Sequence, residues 1–199
     1  MPTFQRPLTA RAGLCLALSV LLPASGSAAA LDLPALIECR QGLADYNALA
    51  PVVADPLKAV ANGLQPLPQT NAFMSEFRLA TPLTVFGQRT EYLAIAGASI
   101  MAILDLPDPR PLASSLALED GVDTPEKFMA GRELVSRDVT DPVTGEPMIE
   151  SVILSLSTVK SHPGKTLAGC TYSLDLPPEA PEAPPAPVPA VPAAAAAGR

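Results

Sequence analysis

The chain has no tryptophan, and aromatic residues make up only 4% of its 199 positions. Carbohydrate clefts and broad protein-binding surfaces recruit aromatic rings, so this scarcity counts against a sugar-binding cleft. Phe73, Phe77, Phe86, Tyr92, Phe128 and Tyr172 are instead expected in the hydrophobic core. Histidine is scarcer still, because His162 is the only one. Any histidine-based triad must run through that residue, and its place before Pro163 and Gly164 reads as a surface turn. Zinc ligand spacing, an H-E-x-x-H motif and a nucleophile elbow are all missing, so no metal or cofactor site is expected. Basic residues are also few, with 13 Lys and Arg against 20 Asp and Glu, for a net charge of −7. Such a chain repels phosphate backbones and anionic membrane surfaces, so nucleic acid is excluded as a partner.

Long apolar runs are absent beyond the first thirty residues. "YLAIAGASIMAILDL" (92–106) comes closest to a membrane span, but Gly97 and Ser99 interrupt it. It also falls short of the roughly 20 apolar residues a spanning helix needs. No transmembrane helix is expected in the mature chain. The first thirty residues have the three parts of a secretory leader. Arg6 and Arg11 supply the positive end, "LCLALSVLLPA" the apolar stretch, and "SGSAAA" the small residues before cleavage near Ala30. Cys15 lies at the start of the apolar run, where a lipoprotein site has no hydrophobic stretch before it. Removal of the leader takes the net charge from −7 to −9 and leaves Cys39 and Cys170. Two cysteines in an oxidising compartment favour a structural disulfide, Cys39 to Cys170.

The other end is built from different material. Residues 177–199 hold eight of the chain's 24 prolines and no aromatic residue. That composition cannot bury a core and predicts a disordered tail or spacer. A single domain over residues 31–176 remains, of ordinary size for one hydrophobic core.

The domain opens with helical signals. Asp32 is placed as an N-cap with Pro34 in the first turn. Leu36, Cys39, Leu43, Tyr46 and Ala50 then recur at helical spacing, with Pro51 expected to end the helix. "DPLKAVANG" (55–63) reads as a second helix capped by Asp55 and closed by Gly63, and "LQPLPQTN" as a loop. From residue 73 the apolar period shortens to two. "FMSEFRLA", "PLTVFG", the pair of strands turning at Gly97-Ala98, "AGRELVSRDVT", "MIESVILSLSTV" and "TLAGCTYSLDL" read as strands. "PDPRPLASS" and "LEDGVDTPE" read as connections. The expected fold is α+β, with two N-terminal helices packed on an antiparallel sheet of about five or six strands.

Near-motifs for catalysis fail on context. "VKSHPGKT" (159–166) ends like a phosphate-binding loop, but it bridges two strands and has Val159 where the first glycine belongs. "STVK" (157–160) has the Ser-x-x-Lys spacing, yet on a strand Ser157 and Lys160 point to opposite faces. Glu119, Asp120, Asp123 and Glu126 form an acidic group without the order of a calcium loop. The expected function is therefore a non-enzymatic binding or accessory module, periplasmic or secreted, acting on a protein or envelope component through its sheet face or an edge strand. A secreted hydrolase with a carboxylate site and an inhibitor of a secreted enzyme are the alternatives.

Overall fold

The computed structural model describes residues 31–69, 71–141 and 143–178. The expected leader (1–30) and the tail (177–199), apart from Pro177 and Pro178, lie outside the described residues. Among the described residues are four short helices: α1 (Leu33–Ile37), α2 (Leu43–Val53), α3 (Pro56–Ala61) and α4 (Arg110–Ser115). Eight strands accompany them: β1 (Leu64–Pro66), β2 (Ser75–Val85), β3 (Gln88–Ala96), β4 (Ser99–Leu104), β5 (Glu119–Asp123), β6 (Phe128–Thr140), β7 (Pro147–Ser157) and β8 (Thr166–Asp175). Of the described residues 47% are strand and 19% helix, so the sheet dominates the architecture. This overturns the expected α+β layout of two helices on five or six strands. The fold is one eight-stranded antiparallel sheet, ordered β1-β2-β3-β4-β8-β7-β6-β5, with only short helices against it.

The extra strands are the two edges. β1 runs through the segment expected as a loop and pairs with β2, Leu64 facing Leu79 and Pro66 facing Phe77. β5 runs through the expected acidic connection and pairs with β6. Proline and charge are what sheets place at exposed edges, because both discourage pairing with another chain. These residues hide a strand from a search for alternating apolar positions. The same effect conceals α4 inside a proline-rich connection, where Pro109 and Pro111 sit at its first positions.

The single expected first helix is two helices. Asp32 caps α1 through its carboxylate, which accepts from the Ala35 N–H at 3.0 Å. The chain then turns at Cys39, whose φ of 56° is left-handed, before α2 begins. Pro51 lies inside α2 rather than at its end. Asp55 caps α3 by accepting from the N–H groups of Leu57 and Lys58.

Alternation sorts the two sheet faces. Leu64, Phe77, Leu93, Ile100, Ala102, Val152, Leu156, Ala168, Cys170 and Tyr172 belong to one buried cluster with Leu36, Ile37, Leu49, Ala59 and Leu112 of the helices. On the other face a small second core gathers Met74, Ala94, Ile103 and Leu167, with Val159 packed against it. Register shifts between Arg78 and Leu83, Asp120 and Val122, and Glu133 and Val135 bend the sheet. Phe77, Phe128 and Tyr172 are core residues as expected, whereas Phe73 is 87% exposed and Tyr92 lies at the surface. Phe73 precedes β2 and so never joins its inward face.

Candidate functional site

Cys39 and Cys170 form the expected disulfide, with Cα atoms 5.3 Å apart. Cys170 is fully buried on β8, and Cys39 sits at the turn between α1 and α2. Two tyrosines reinforce this junction. The Tyr172 hydroxyl donates to the Leu36 carbonyl at 2.8 Å, so the buried ring also satisfies the end of α1. The Tyr46 ring stacks on Tyr172 with centroids 5.1 Å apart, and its hydroxyl donates to the Gly97 carbonyl at 2.9 Å. Burial pushes the Tyr46 phenol above its ordinary pKa. Burial, with the Asp45 carboxylate as a lesser cause, pushes Tyr172 up to about 12. With Glu38 at the end of α1 accepting from the Phe86 N–H at 2.7 Å, the N-terminal helices are fastened to the sheet by one covalent bond and three side-chain hydrogen bonds.

Beside this fastening lies a recess of about 300 Å³ between α2 and the β2–β3 pair. Tyr46, Leu49, Ala50, Val53 and Ala54 form its helical wall, and Ser75, Phe77, Ile95 and Gly97 the opposite one. No charged side chain lines it. Ala50 of α2 and Ala54 at its C-cap, one turn apart, line the recess with small side chains where larger ones would fill it. Ala50 belongs to the apolar stripe read from the sequence, where spacing alone shows no role for it. The signal was available: small residues recur on a helix face whose neighbours are leucine, tyrosine and valine.

His162 has a more specific place than a free surface turn. Residues 158–165, between β7 and β8, cross the open face and bring Val159 onto the second core. There His162 Nε2 meets Glu76 Oε2 of β2 at 3.3 Å, with both side chains only 12% exposed. Ser161 Oγ lies 3.0 Å from His162 Nδ1, and Asn71 donates to Ser161 Oγ at 3.4 Å. The order serine, histidine, glutamate is that of a nucleophile, base and orienting group. Ser161 does not line the adjoining cavity of about 370 Å³, which is bounded by Lys160, His162, Gly164 and Lys165 among others. The contacts of Ser161 with Asn71 and of His162 with Glu76 link this crossing to β2 and to the turn before it.

The other sequence candidates are dispersed. Ser157 ends β7 and Lys160 lies beyond it in the crossing. Lys165, the lysine of the phosphate-loop-like run, is paired with Asp105. Glu119, Asp120 and Asp123 lie on edge strand β5, with Glu126 in the following turn. Asp123 is taken by Arg110, which Asp108 also contacts. Among the described residues, no three His, Cys, Asp or Glu side chains are grouped to hold a metal ion. No described helix is long and apolar enough to cross a membrane. No family model, curated protein or solved structure matches this chain.

Proposed function

We propose that this chain is an exported envelope protein, and that its domain over residues 31–176 is a non-catalytic binding module. The module takes an uncharged apolar group, carried by a ligand or a partner protein, into the recess between α2 and β2–β3. One observation carries the reading. An uncharged recess of about 300 Å³ opens beside the junction that the disulfide and the Tyr172 hydroxyl fasten. A cavity of about 150 Å³ lined by aliphatic and aromatic side chains takes benzene, so this volume suits a group roughly twice that size. Rigid walls lower the ordering cost of binding, and the disulfide and two tyrosines supply such walls. Asp108 and Asp123 are paired with Arg110, and Glu150 with Arg137. The disulfide is compatible with an exported protein and with the leader read from the sequence.

The test uses the neutral dye N-phenyl-1-naphthylamine and the purified mature chain. Binding in the recess is expected to raise dye fluorescence and to saturate. The variant Ala54→Phe, which fills the mouth from an exposed helix position, is expected to weaken the dye at least about tenfold. Its melting temperature should stay within a few degrees. Equal dye binding by both proteins would overturn the assignment of the recess.

A further inference from the structure

We propose that the proline-rich C-terminal segment of this same chain folds back into the recess between α2 and β2–β3, seating Val188 and Val191 there as a tethered occupant. The inference rests on the recess being a binding site, as proposed above, and adds what regulates access to it. The segment matches the recess in chemistry. From Ala183 to Gly198 it carries no charged residue, and no charged side chain lines the recess. Within it, "APPAPVPAVP" (183–192) holds five prolines, a composition that favours polyproline geometry with three residues per turn. Val188 and Val191 are three apart and so share one face of such a helix, with Pro185 one turn before them. Aromatic-walled grooves take proline-rich segments because these are extended before they bind and lose little entropy. Tyr46 and Phe77 supply aromatic walls here.

The described chain also leaves the sheet beside the recess. Tyr172 of β8 stacks on Tyr46, and its N–H donates to the Ala98 carbonyl, next to the recess residue Gly97. Six residues separate Tyr172 from Pro178, the last described residue, a span of at most about 20 Å. Val188 follows ten residues later, about 30 Å in polyproline geometry. The segment is therefore long enough to return to Tyr46. A tether of that length holds it at an effective concentration in the millimolar range, so even a weak fit competes with a free ligand.

Dye titrations test the proposal on protein of residues 31–199. Its comparisons are the double variant Val188→Asp with Val191→Asp, and a chain stopped after Pro178, which keeps every described strand and helix. N-phenyl-1-naphthylamine is expected to bind both altered proteins at least about threefold more tightly. A peptide of residues 179–199 should displace the dye from the shortened protein. Ala54→Phe should abolish the difference between long and short chains. Equal affinity in all three proteins, with binding still weakened by Ala54→Phe, would overturn the segment as occupant and leave the recess reading standing. A shortened protein that binds no dye would overturn the recess reading, and this inference with it. A difference that disappears on dilution would mark segments exchanged between two copies, and would overturn the folding back within one chain.

Discussion

Replacing both bridge cysteines by alanine removes the tie between the first helices and β8. The sequence separation is 131, for which the chain-entropy account gives about 5 kcal/mol. A domain of roughly 145 residues unfolds with an entropy of about 0.3 kcal/mol per kelvin, so the expected loss in melting temperature is roughly 15 °C. The expected loss is a large share of the 5–15 kcal/mol typical of a domain. The left-handed φ of Cys39 adds a finer test. Alanine at 39 keeps the cost of that conformation, and glycine does not. The pair Cys39→Gly with Cys170→Ala is therefore expected to be about 1 kcal/mol more stable than the double alanine variant. Calorimetry with and without reductant gives the melting temperatures, and thiol titration in denaturant counts free cysteines. Protein beginning at residue 31 should show none, and the full chain one, from Cys15. A melting temperature unmoved by reduction, or two further thiols in oxidised protein, would refute the reasoning.

Other expectations concern single positions. Tyr172→Phe removes one donor from the Leu36 carbonyl, which keeps the Cys39 N–H at 3.2 Å, and should cost about 0.5–1.5 kcal/mol in urea unfolding. Because the folded-state pKa of Tyr172 is raised to about 12 from 10.0, its neutral form contributes stability that is whole below pH 10. That contribution is lost as pH rises through 12, so urea midpoints should fall between pH 10 and 12, and fall less in Tyr172→Phe. Gly169→Ala places a Cβ 2.6 Å from Met101 Cα and closer still to the Ile100 carbonyl oxygen. It should cost at least about 3 kcal/mol, or prevent soluble expression. Asp55→Ala removes the α3 cap and should lower stability by about 1 kcal/mol in the same assay.

The inner strands were legible because each buries one face, which forces apolar residues to alternate. β8 is the clearest case, with Ala168, Cys170 and Tyr172 inward, and its pairing with Cys39 followed from that rhythm. The edges were not legible, for a physical reason. Gln65 and Pro66 of β1 and Glu119, Asp120 and Asp123 of β5 are exposed, so nothing selects apolar residues there. The break after α1 was masked because Cys39 keeps the apolar spacing of a continuous helix while its backbone turns left-handed. The candidate recess depends on what α2 lacks, the side chains beyond Cβ at Ala50 and Ala54, and a pattern of presence does not reveal it. The His162–Glu76 contact joins residues 86 positions apart in number, across strands whose order the sequence did not disclose.

The position of β8 in the sheet has a consequence for how the chain acquires its structure. The last strand of the domain lies in the middle, between β4 and β7. Until residues 166–175 have been synthesised, β1–β4 and β5–β7 can form only as two separate antiparallel patches. Each patch then keeps an unpaired inner edge. Closing the sheet requires β8 to zip both patches at once, a step dominated by contacts far apart in sequence and therefore slow. The chain spends that interval with Ile100, Leu104, Val152 and Leu156 beside unfilled edges, the state in which strand-rich proteins aggregate. Truncation before residue 166 should therefore yield an insoluble product rather than a smaller folded domain.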